Sequence, residues 1–520
     1  MKPSGRSFLV LALLCGCAAV ASAEVVLNVR DFGAIGDGLE HQIGDRETAK
    51  RFKNLSRAHA ALPALKSNWS ADEIAFELAK RALPPEGGVI YFPAGHYVAT
   101  GLGWRIMRDN VTLRGDGPER TTLSTSANIN DALALAGYRH VGWSRGYAFD
   151  AEEGAPGERT LTVREPGGAE FFAPGDLVFV RNGSNRYDQD YGEFNEVTSV
   201  EGQRITVAYP FSRDYRADAI NWSGKLAADF TLPKPYREGV ATFAKGEGVA
   251  LPGKGTTVSI GSAVLRVVDL LPNNGVVLKN PGRTNPAPGT VLPQGSLVSK
   301  ERALIKLQKS TRNFAAEGLT IRGRRKALNL SNTWNSRFTD CVFERAPQGA
   351  PVKGGLTIDG DGGRFARFER CVVRAAPAMG MQFARSFAGV VFNECRFENT
   401  NVSFTEFNFD CEVGNSEFEV IGSRALSNVV IVGKSCGDLR IHHNVIRARN
   451  VECVFDAHMD IQSFKRSGPR LLVIRDNRIE TDARQVFRLG RDLPKAADDN
   501  RVLPLDPGVS LATAALSGTP

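Results

Sequence analysis

The chain has 520 residues, 42% of them hydrophobic, with 65 Lys and Arg against 57 Asp and Glu and a formal net charge of +8. That length leaves room for more than one core. The absence of a dense basic run interleaved with aromatics argues against a nucleic-acid partner, and no stretch is long and apolar enough for a membrane-spanning helix.

In chain order, Lys2 and Arg6 precede an apolar run over 8–14, and Ala21-Ser22-Ala23 follows. This pattern predicts a cleaved secretory signal over residues 1–23 and an exported protein, periplasmic or extracellular. Leu14-Cys15-Gly16-Cys17 offers a rival lipoprotein reading, disfavoured because Cys15 is an unusual residue inside such a box. Loss of Lys2 and Arg6 lowers the positive charge by two. The remaining excess either draws acidic glycans or simply aids solubility. Six cysteines remain, all between Cys341 and Cys453, with no C-x-x-C spacing that would suggest structural zinc.

Residues 24–104 read as an entry and cap module. The glycine-punctuated LNVRDFGAIGDG comes first. Ser70-Ala71-Asp72-Glu73 then forms a capping box ahead of an apolar helical stripe that ends at Pro84-Pro85. GGVIYFPAGHYVATG follows as strand, turn and strand. The two glycine-rich motifs with a helix between them resemble the opening of the pectate-lyase-like superfamily, the rhamnogalacturonase- and epimerase-like right-handed parallel β-helices. The resemblance implies an all-β solenoid with an N-terminal capping helix. The chain departs from that pattern by about thirty extra residues between the GDG and the helix.

Residues 105–156 hold first coils, including NVTLRG. Residues 157–300 change to short strands with Gly/Pro turns, which predicts an inserted or lateral β-subdomain widening a groove wall. The coil pattern resumes at Ile305 within 301–490. There DCVFE, RCVVR, ECRFE, NSEFE, HNVIR and DNRIE align with Cys341, Cys371, Cys395, Ser416, Asn444 and Asn477 in second place, 21 to 33 residues apart. Such a period marks a solenoid. Stacking then makes Cys341, Cys371 and Cys395 a buried, reduced ladder, continued by asparagine at a turn. Residues 491–520 lose the period and form a tail.

Strand alternation selects the chemistry. Asp359, Asp361, Glu406, Asp410, Asp456, His458 and Asp460 fall on outward phases, with Arg385 and Lys434 near the same place. Clustered carboxylates repel, so the fold gains nothing by gathering them. The bland alternative is a solvated face with routine ion pairs. His458 sits inside DAHMD, which resembles the Asp-Pro-His-Asp/Glu signature of mannuronan C5-epimerases, with Ala457 in place of proline and Met459 displacing the second acid. Polygalacturonase and calcium pectate lyase signatures are absent.

Three classes stay open. The first is a lyase or epimerase that abstracts the C5 proton of a uronate-containing polysaccharide. His458 or Lys434 serves as base, with Asp456, Asp359 and Glu406 beside it. Arg385 or Ca2+ neutralises the substrate carboxylate, and Asp361, Asp410 and Asp460 bind substrate. The second is an inverting glycoside hydrolase using Asp359 and Glu406. The third is a non-catalytic glycan-binding β-helix.

Overall fold

The computed structural model describes residues 24–504 apart from internal stretches, chief among them 53–67, 136–147, 183–191, 213–221, 245–256, 346–355 and 458–471. The chain is a parallel β-helix. Its strands form a 17-stranded and a 10-stranded sheet. The larger sheet supplies two faces, because the strands Lys326–Thr339, Ile358–Glu369 and Met381–Asn393 each bend around a corner. The first face continues through Val402–Phe404, Asn428–Val432 and Cys453–Ala457. The second face continues through Phe409–Gly414 and Gly437–His442. The 10-stranded sheet is the third face.

Stacked coils place like residues above one another, and the core is built from that repetition. Phe338, Phe368 and Phe392 stack with centroids 4.7 and 4.5 Å apart, and Phe397 lies on Phe418 at 4.3 Å. The turn from second to third face has a left-handed residue, such as Asp340, Arg370, Glu394, Asn415, His443 or Asp476. The expected ladder follows it directly. Cys341, Cys371 and Cys395 are buried and free, and each Sγ faces a carbonyl of the coil before, as Cys395 does Phe368 O at 3.4 Å. Ser416 Oγ, Asn444 Oδ1 and Asn477 Oδ1 then accept from the backbone N–H of the preceding ladder residue. Asn500 adds a rung that the string alignment does not contain.

The helix Ala71–Ala82 closes the N-terminal end, packing Phe76 edge-on against Trp104. Ser70 Oγ caps it by accepting from Glu73 N at 3.2 Å. The capping box is only half formed. Glu73 does not reach back to Ser70. It accepts instead from Thr100, Gly101 and Leu102 N, while Asp72 accepts from Ile35, Gly36 and Val98 N. Two buried carboxylates thus tie two chain segments, 35–36 and 98–102, to one helix start. Part of the long departure segment covers the outer side of the helix, where Ile43, Phe52 and Trp69 pack on Ile74.

The insertion consists of two closed six-stranded antiparallel barrels. The first is made of Ala148–Glu152, Thr160–Val163, Leu177–Asn182, Gly192–Glu201, Arg204–Val207 and Ala303–Leu307. The second, Trp222–Lys300 in extent, is inserted within the first. The insertion is therefore wider than the composition change suggests. The strand holding Ile305 pairs antiparallel with Leu177–Asn182 and closes the first barrel, so coils resume at Thr311. A short apolar strand reads alike in a barrel and in a coil, and only its pairing tells them apart.

Candidate active site

Charges on the second and third faces are used in cross-coil ion pairs. Arg322, Glu344, Arg374 and Glu398 alternate up the third face at 2.6 to 3.2 Å. Arg337 meets Glu369 at 3.0 Å, and Arg440 meets Glu412 at 3.2 Å, on the second. The first face carries such pairs too, as Arg488 with Asp456 at 3.4 Å. There Lys326 Nζ lies 2.5 Å from Asp359 Oδ2 and 3.9 Å from Asp131 Oδ1, drawing two carboxylates to one ammonium. Asn329 Nδ2 donates to Asp131 Oδ2 at 2.9 Å, and Ser331 Oγ donates to Asn329 Oδ1 at 2.8 Å. Asp131 Oδ1 accepts no hydrogen bond among the described residues.

These positions follow from register. Asn329, Asp359, Gln382, Ser403, Ile431 and Asp456 form one column of successive coils. Asp131 enters from the strand that precedes the insertion, through its pairing with Lys326. Gly360 points inward between Asp359 and Asp361, where a Cβ would come within 2.3 Å of the Phe383 ring. A side chain there would push the carboxylate-bearing strand off the core.

The first barrel docks beside this floor. Gly192 N donates to Ser386 Oγ at 2.8 Å, and Arg364 donates to Phe194 O at 2.9 Å. The Arg364 guanidinium lies 4.3 Å from the Tyr209 ring centroid and also faces Phe365 and Phe409. Burial pulls its pKa below the ordinary arginine value, an effect that the Glu193 carboxylate opposes. The barrel thus stands as a wall at the corner of the first face, held by a stacked arginine.

The sequence-derived set is only partly gathered here. Asp359 is on the floor, and Asp361 is on the same strand but buried at 8% exposure. Asp456 shares the column of Asp359 four coils away, about 19 Å at 4.8 Å per strand. It faces outward in that column but is covered, at 6% exposure, bonded by Asn428 at 2.9 Å and approached by Arg488 at 3.4 Å. Asp410 requires a correction. The run 407–413 is not one alternating strand, because Asn408 turns the corner and the next strand begins at Phe409 on the second face. Asp410 there has φ 54°, a left-handed position that short polar side chains tolerate, and pairs with Arg440. Glu406, Lys434, His458 and Asp460 lie outside the described residues, as does the side chain of Arg385.

Sequence reading missed Lys326, Asn329 and Asp131. Asp131 lies nearly two hundred residues before its partners, across the insertion, and only strand pairing brings it in. The alternation of Asn329 and Ser331 with Leu328 and Leu330 was the available signal, whereas Lys326, three residues before Asn329, is out of phase with it. Among the described residues, no three or more His, Cys, Asp or Glu side chains converge to hold a metal ion, so the carboxylates shown here do not by themselves make a calcium site.

No protein-family model and no curated protein matches the chain. Solved structures do resemble it. The tailspike gp49 from Pseudomonas phage LKA1 is 12% identical, with 94% of this chain and 83% of that one covered and a TM-score of 0.43. The tailspike gp61 of Pseudomonas phage phi297 is 14% identical over 92% and 74%, with a TM-score of 0.42. The A-module of the Azotobacter vinelandii mannuronan C-5 epimerase AlgE6 is 12% identical over 92% and 99%, with a TM-score of 0.29. At these values none of them bears on the substrate or reaction of this chain.

Proposed function

We propose that this protein is an exported enzyme that hydrolyses a polysaccharide laid along the first face, with Asp359 and Asp131 as the carboxylate pair. The supporting observation is the convergence of both on Lys326, beside the amide and hydroxyl groups of Asn329, Ser331, Gln382 and Ser403 that suit sugar hydroxyls. Asp359, which receives the Lys326 hydrogen bond, takes the nucleophile or base role. Asp131, with Oδ1 unbonded, protonates the leaving oxygen. Both carboxylates touch one nitrogen, so their nearest oxygens can be no further apart than those two contacts laid end to end. The carboxyl groups can stand farther apart than their nearest oxygens, so that limit accommodates both the roughly 5–5.5 Å of retaining pairs and the short end of the roughly 6.5–9.5 Å of inverting ones. With Asp131 protonated as the acid, Asp359 and Asp361 still outnumber the Lys326 ammonium, which makes a neutral glycan a better substrate than a uronate chain.

C5-proton abstraction on a uronate is the second reading. It draws support from Asp456, the first residue of DAHMD, standing in the same column as Asp359. Product analysis separates the two. A panel of neutral and acidic polysaccharides is assayed for reducing ends and for unsaturated-uronate absorbance. Reducing ends without absorbance, from a neutral glycan, support hydrolysis. Absorbance from a uronate chain overturns it in favour of the lyase.

A further inference from the structure

At the edge of the second face, His442 and His443 meet head to head. Their Nδ1 atoms lie 2.9 Å apart, with ring planes at 86°. Each ring is backed by a carboxylate at its other nitrogen. Glu412 Oε1 is 3.3 Å from His442 Nε2, and Asp476 Oδ2 is 3.7 Å from His443 Nε2. Register builds the arrangement. Gly414 pairs with His442 one coil on, and a Cβ at Gly414 would come within 2.7 Å of the His442 ring. His443 occupies the left-handed turn position, φ 54°, and Asp476 occupies the same position in the next coil.

A carboxylate beside Nε2 favours the ring proton on that nitrogen and the lone pair on Nδ1. The 2.9 Å contact is met in one of two ways: one ring carries its proton on Nδ1 and donates to the other, or both Nδ1 lone pairs turn to one metal ion. The spacing is the bite of two cis ligands with bonds of roughly 2.0–2.1 Å meeting at about 90°, and carboxylate backing is how metal-binding histidines are oriented.

We propose that His442 and His443 form a solvent-open site for a late first-row divalent metal ion, bound through both Nδ1 atoms and completed by water. The glycan groove plays no part in it. The rings are nearly collinear, with centroids 5.1 Å apart, so each must turn to seat the ion. His443, 53% exposed, has room to do so. Arg440 and Arg475 share the two carboxylates, which places those carboxylates behind the rings and leaves the imidazoles as the ligands.

Cu2+, the tightest binder of the divalent series, and Ni2+ are the probes. Calorimetry on the whole protein is expected to show one site per chain, absent in His442→Gln and in His443→Asn, the latter chosen because asparagine tolerates the left-handed turn. Glu412→Gln is expected to weaken binding about tenfold or more. The Cu2+ electron paramagnetic resonance spectrum is expected to show two equatorial nitrogens. Circular dichroism confirms that the variants fold. Binding that survives both histidine substitutions, or no binding to the folded wild type, overturns the proposal and leaves a shared proton in the pair.

Discussion

Asp359 and Asp456 occupy one register column of the first face with three coils between them. Both project from the same sheet, yet about 19 Å of stacked strands separates them. A single sugar ring cannot touch both, so their substitutions are expected to act independently. Asp359→Asn should reduce kcat at least about a hundredfold with little change in Tm. Asp456→Ala should leave kcat of the folded protein near wild type and cost about 1–3 kcal/mol, because Asn428 and Arg488 lose a buried acceptor. Steady-state kinetics and urea unfolding of both variants check this.

Lys326 joins carboxylates from two sides of the insertion. Lys326→Met is expected to lower kcat about tenfold or more while the protein stays folded, since it leaves Asp131 and Asp359 facing each other without the ammonium. Kinetics beside a melting curve read the two effects separately.

Stability should fall in alkali through the cysteine ladder. Burial pushes the Cys371 and Cys395 thiols above the ordinary value and Cys453 up to about 11. The unfolded chain loses these protons near pH 8.5 while the fold keeps them. Their contribution is therefore complete below that pH and is lost as pH rises toward the folded values, at about 1.4 kcal/mol per thiol per pH unit. Urea midpoints at pH 7.5 and 10 should differ less in Cys371→Ala/Cys395→Ala than in wild type. The thiols should also resist aromatic disulfide reagents until the protein unfolds.

Asp72→Ala should loosen the cap. Three backbone N–H groups, of Ile35, Gly36 and Val98, lose their acceptor, at a cost on the order of 3 kcal/mol. Hydrogen exchange at these amides should rise well before exchange in the distant coils.

The solenoid was legible because its signals are local and repeated: one residue after each left-handed turn must be small or amide-bearing, and six strings show it. The capping helix was legible through Ser70. The site was less so. Alternation placed Asp359 outward, but it could not see that the chain bends at Asn408, which sends Asp410 to another face. Nor could it reveal that Asp361 and Asp456 are covered. Asp131 and Lys326 meet through strand pairing across the two spliced-in barrels, and no local pattern carries that pairing. Ile305 shows the same limit, since an alternating apolar strand does not say which sheet it joins.

Turnover by variants on different faces tests the central claim most directly. Asp359→Asn and Asp131→Asn on the first face are compared with Glu398→Gln on the third and Glu369→Gln on the second, using the glycan that the wild type cleaves. Loss of at least about a hundredfold in the first pair, with the second pair within about twofold of wild type, is the expected result. Near-wild-type turnover by Asp359→Asn and Asp131→Asn would contradict it and move the chemistry away from Lys326.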